Sequence, residues 1–145
     1  MKTTEKFKLF LSSLYKGALS TGYYIIVLWL MLSSTPLGDA GINVGIGSDF
    51  YLHLFMCGAM SMFLCLDWQR KHQWRKMKFW RVLVASALAF VLCGIAEGLQ
   101  AIPAIPYRYF DPMDLVAEAV GAFLIGILYY FIQSFWSNNE RNGRY

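Results

Sequence analysis

Seven polar side chains have the types and spacing from which a reactive or binding site can be built: His53, Glu97, Gln100, Arg108, Asp111, Asp114 and Glu118. An imidazole beside carboxylic acids can pass protons, and a planar guanidinium presents the fork of donors that a phosphate or carboxylate accepts. Asp49 and His53 stand four residues apart, as do Asp114 and Glu118, and Asp111 precedes Asp114 by three. On helices each of these sets shares a face, and so do Glu97 and Gln100.

Most of these residues also have a plainer role. Asp111-Pro112-Met113-Asp114 reads as a helix start, with Asp111 as N-cap, proline at the first helical position and Asp114 as reciprocal partner. Asp49, after Ser48, suits a cap or the first turn. His53 can be a bonded core histidine, and Arg108 can simply neutralise Glu97, Asp114 or Glu118. Glu118 is harder to explain away, since it lies about 6 Å deeper along its helix than Asp114 at about 1.5 Å per residue. Glu97, about one turn inside its own span, can meet it.

The elements that must position these groups follow from composition. Of 145 residues, 57% are apolar and 15% charged, against roughly 45–50% and about 25% in a soluble domain; mean hydropathy is +0.42. Disorder and a soluble two-domain enzyme are excluded. Four apolar stretches, 17–34, 50–66, 80–99 and 115–136, are near the roughly 17–25 residues a spanning helix needs. The expected fold is therefore an all-α integral membrane protein, a bundle of four transmembrane helices in a single domain over 1–145. The first stretch follows Lys2, Lys6, Lys8 and Lys16 as a signal peptide would, but no small-x-small cleavage site follows, so it reads as a retained anchor.

Basic residues set the expected orientation. Lys2, Lys6, Lys8 and Lys16, then Arg70, Lys71, Arg75, Lys76, Lys78 and Arg81, then Arg141 and Arg144 make twelve of the thirteen on one side, leaving Arg108 alone on the other. Both termini are thus expected in the cytoplasm. The basic stretch carries Trp68, Trp74 and Trp80 and reads as an anchor on anionic headgroups rather than a nucleic-acid site, with His72 solvated. The 35–48 segment, rich in glycine, reads as an external linker.

With this topology the polar residues converge toward the outer side, and the cytoplasmic halves of the spans hold no comparable set. Ionisable groups in a membrane cost about 2.5–3.5 kcal/mol each on insertion scales, so they face the interior and pair. Gly94 and Gly98 form a G-x-x-x-G spacing that would press a neighbouring helix against Glu97, and Gly121 and Gly126 can act likewise. Cys57, Cys65 and Cys93 read as inert buried thiols, and Met56, Met60 and Met62 as apolar filling. No G-x-S-x-G elbow, P-loop or H-E-x-x-H motif occurs.

Asp49-x-x-x-His53, Glu97-x-x-Gln100, Arg108, Asp114 and the final Gly121-Ala122-x-x-x-Gly126 together resemble the VanZ-like membrane proteins. Two positions depart: Phe50 where the family often has lysine, and Glu118 where it usually has asparagine, which adds a charge. The resemblance implies a multi-pass protein of the bacterial plasma membrane, in a family whose named member confers low-level teicoplanin resistance. It supplies no reaction, so enzymatic activity stays open.

The residues themselves allow several functions. In the first, His53, Glu97, Gln100, Arg108, Asp114 and Glu118 bind or modify an envelope lipid or a lipid-linked or glycopeptide ligand, with Arg108 on the anionic group and Glu97 or Glu118 exchanging protons with His53. In the second, the carboxylates serve a small proton- or cation-coupled transporter or flippase, in which oligomerisation widens a narrow path. The third is a structural membrane partner without catalysis. A metal held by His53, Glu97, Asp114 and Glu118 would suit magnesium or manganese, but with one histidine no metal site and no cofactor are assigned from the sequence.

Overall fold

The structure, a computed structural model, describes residues 17–32, 48–100 and 111–142. Four helices follow in order: α1 (Ala18–Leu32), α2 (Ser48–Lys71), α3 (Phe79–Gln100) and α4 (Pro112–Asn142). No strand occurs among the described residues. Segments 50–71, 79–100 and 112–134 of the last three are long and apolar enough to cross a membrane. At 15 residues, α1 extends about 22 Å at about 1.5 Å per residue, less than the roughly 30 Å of a hydrocarbon core.

Helix ends follow local chemistry more than hydropathy. Asp111 Oδ1 accepts the Met113 amide at 2.8 Å and the Asp111 carbonyl accepts the Asp114 amide at 3.1 Å, so Asp111 caps α4 with Pro112 at the first helical position. The helix thus starts at Pro112, as the Asp111-Pro112 pattern predicts, three residues ahead of the apolar stretch from 115. The second span, expected to end at 66, continues as helix to Lys71, because Asp67 and Arg70, one turn apart, pair at 2.6 Å. It stops in a Schellman-type turn: the Trp74 amide reaches the Gln69 carbonyl at 2.7 Å and the Gln73 amide the Arg70 carbonyl at 3.4 Å. Gln73 and Trp74 there adopt φ of 54° and 60°, a left-handed conformation costly for residues with a Cβ.

α2 and α4 share the most extensive interface, α3 packs on both, and α1 lies against α2 and α3. The α2–α4 seam is built from small residues. A Cβ on Gly121 would overlap the Leu54 backbone and one on Gly58 would sit 2.6 Å from Ile125 Cγ1, while one on Gly126 would overlap the Ser86 hydroxyl of α3. The expected role of Gly94 and Gly98 is corrected: among the described residues, Gly98 is exposed with nothing within 4 Å of a Cβ, and Gly94 meets only Leu115 Cδ2 at 3.6 Å. Both face away from the tight seam.

The interior between the helices holds small side chains and soft sulfur: Cys57, Met60, Ala89, Cys93 and Ala122 form one cluster. Bulky apolar side chains point outward instead, in stripes such as Val84, Leu88, Val91 and Ile95 on α3 and Val116, Val120, Leu124 and Leu128 on α4. Exposed apolar area on this scale suits a hydrocarbon solvent rather than water. Tyr23 and Tyr24 fasten α1 by donating to the carbonyls of Met56 at 3.1 Å and Leu92 at 3.0 Å.

Candidate functional site

Three helices deliver four ionisable groups to one place. His53 lies in the first half of α2, Glu97 near the end of α3, and Asp114 and Glu118 in the first two turns of α4. Because α3 returns antiparallel, all are at the same end of the helix packing. His53 Nδ1 is 3.3 Å from Glu118 Oε1 and 4.0 Å from Glu97 Oε2, while Nε2 is 3.6 Å from Asp114 Oδ2. Both ring nitrogens therefore face carboxylates. Glu97 and Glu118 are at 0% and 1% exposure, so neither is an ordinary surface acid.

Backbone contacts orient part of the set. The Asp111 amide donates to Glu97 Oε1 at 3.3 Å, so the N-terminal turn of α4 holds the α3 carboxylate. Glu97 Oε2 and Glu118 Oε2 are buried with no hydrogen-bond partner among the described residues, and neither has Gln100 Nε2 one. Such atoms are rare in folded proteins, since leaving one unpaired costs about 1–3 kcal/mol and more if charged. Gln100 is buried on the face of Glu97. Arg108 and the Asp49 side chain lie outside the described residues.

A second buried polar layer, absent from the sequence reading, occupies the opposite end and corrects the expectation that those halves hold no comparable set. Gln69 Nε2 donates to Gln133 Oε1 at 2.6 Å, the Met77 amide donates to the same oxygen at 3.0 Å, and Gln133 Nε2 donates to the Met77 carbonyl at 3.1 Å. Tyr129 donates its hydroxyl to Gln69 Oε1. Nearby, the Ser20 amide and hydroxyl both donate to Asp67 Oδ2, at 2.9 and 2.6 Å. The one available signal was Gln133, a lone amide inside an apolar run. Sixteen residues part His53 from Gln69, about 24 Å of helix at about 1.5 Å per residue.

The basic stretch is less uniform than its composition suggests. Arg70 is buried on Asp67 rather than offered to headgroups. His72 is half-buried, stacked 4.0 Å from the Trp68 ring with Nδ1 2.8 Å from the Trp68 carbonyl, which corrects its expected solvation. The Arg81 guanidinium carbon lies 4.7 Å from the centre of the Trp68 ring, in cation–π range. These residues border an open groove continuing along Leu64, Val84 and Leu88.

Comparison with known proteins adds no relative: no family model, no curated protein and no solved structure matches this chain.

Proposed function

We propose that the chain is a VanZ-like protein that crosses the bacterial plasma membrane four times, with both termini cytoplasmic, and uses an outward-facing polar site to bind the headgroup of an envelope lipid or lipid-linked cell-wall precursor. The observation that carries this reading is the meeting of His53, Glu97, Asp114 and Glu118 from three helices beneath one end of an otherwise apolar exterior. Arg108, alone among thirteen basic residues on that side by the charge census, supplies the cation for a phosphate or carboxylate. Glycopeptide resistance would follow if the bound molecule is a precursor of the wall.

Native mass spectrometry of the purified chain tests this. The wild type should carry a phospholipid or polyprenyl-phosphate-linked adduct, and Arg108→Ala and the pair Glu97→Gln with Glu118→Gln should each lose it. An adduct retained at wild-type level in both variants would refute the reading. A small proton- or cation-coupled transporter is the second reading, favoured by polar layers at both ends with the Ser61–Ser86 contact of 2.9 Å between them. Absence of gradient-driven flux in proteoliposomes would remove it.

A further inference from the structure

We infer that His53, Glu97 and Glu118 form a binding site for one divalent transition-metal ion, with Asp114 as the residue that orients the histidine. Each of the three offers a ligand atom, all within 4.8 Å of one another, and all three side chains are buried. The separations are wider than those of a closed ion pair. Charge-assisted hydrogen bonds draw N and O to about 2.7–2.9 Å, whereas His53 Nδ1 stands 3.3 Å from Glu118 and 4.0 Å from Glu97. Ligand atoms about 2.0–2.2 Å from a shared metal lie about 3.0–3.6 Å from each other. The His53–Glu118 pair already has that spacing, and the Glu97 oxygen reaches it by closing about half an ångström on His53 from 4.0 Å.

The oxygens are divided as such a site requires. Glu97 Oε1 is held by the Asp111 amide at 3.3 Å, which leaves Oε2, buried and without a hydrogen bond among the described residues, on the histidine side. Glu118 faces Nδ1 through Oε1, and its Oε2 is likewise buried without a hydrogen-bond partner. Asp114 faces the other ring nitrogen at 3.6 Å, where closure by about half an ångström makes the Nε2–H···carboxylate bond common behind metal-binding histidines. With the imidazole neutral, a divalent ion offsets two of the three carboxylate charges gathered here, in a medium where unbalanced charge is expensive. One nitrogen with carboxylate oxygens suits manganese, iron or zinc better than magnesium or calcium. The ion binds whether or not a lipid follows, and its remaining coordination positions stay open.

The test uses the full chain in a non-ionic detergent, purified on a tag without histidine, stripped with chelator and titrated with Mn²⁺ under electron paramagnetic resonance. One Mn²⁺ per chain should bind, be displaced by Zn²⁺, and show nitrogen hyperfine coupling by electron spin-echo modulation. The chain has two histidines, so His72→Gln should keep that coupling and His53→Gln lose it. Glu97→Gln and Glu118→Gln should each weaken binding at least about tenfold, and Asp114→Asn about 10–100-fold. Wild-type protein that binds no Mn²⁺, or binds it without nitrogen coupling, would overturn the assignment without any variant having to fold. Metal binding without a lipid adduct would leave the ion site standing and refute only the lipid reading.

Discussion

Gly121→Ala should lower the stability of the protein by about 3 kcal/mol or more, at the upper end of what overpacking costs. The added methyl would overlap the carbonyl and Cα of Leu54, atoms of a helix backbone that cannot rotate aside as a side chain can. Relief requires α2 and α4 to separate along their whole seam. His53 precedes Leu54 and Glu118 lies one turn before Gly121, so the same displacement would spread the polar site. Gly98→Ala is the control: no described residue lies within 4 Å of its Cβ, and replacing glycine in a helix contributes up to about 1 kcal/mol. Detergent-unfolding midpoints should therefore move in opposite directions for the two alanines. Equal midpoints for Gly121→Ala and wild type would disprove the tight seam.

Asp67→Asn is expected to cost about 3–5 kcal/mol, the usual effect of removing one charge from a buried ion pair. The Arg70 and Asp67 side chains are at 2% and 8% exposure and 2.6 Å apart. Asp67 also accepts two bonds from Ser20 through its second oxygen, so the substitution places an amide donor where donors already point. Loosening of α1 should accompany the loss, visible as faster proteolysis ahead of any change in α3. Replacing both partners, Asp67→Leu with Arg70→Met, should recover only part of the stability, because the desolvation of two charges is removed together while the buried Ser20 amide loses its acceptor. A single variant as stable as wild type would mean the pair contributes nothing.

Hydropathy made the three long helices legible, since segments of 22 to 23 residues have few ways to be apolar throughout. The meeting of His53 with Glu97, Asp114 and Glu118 was legible for a related reason: acids inside apolar runs must find partners. Hydropathy could not foresee that Asp67-Trp68-Gln69-Arg70 stays helical, because that depends on pairing between side chains rather than on their individual polarity. Gln133 was hidden similarly, since one amide barely lowers the average of a long apolar window, while its value lies in three hydrogen bonds to Gln69 and Met77 on other segments. Glycine spacing misled at Gly94 and Gly98, where the motif is present but the face is wrong.

Cys57, Cys65 and Cys93 are at 0%, 0% and 1% exposure and unpaired, which gives the native chain a practical property. A water-borne maleimide finds no accessible sulfur in the folded protein, so sidedness can be mapped without first building a cysteine-free background. A thiol introduced at Gln73, in the turn after α2, and another at Met113, at the start of α4, would report on opposite ends of the helices. With the proposed orientation, whole cells should label the second position and spare the first.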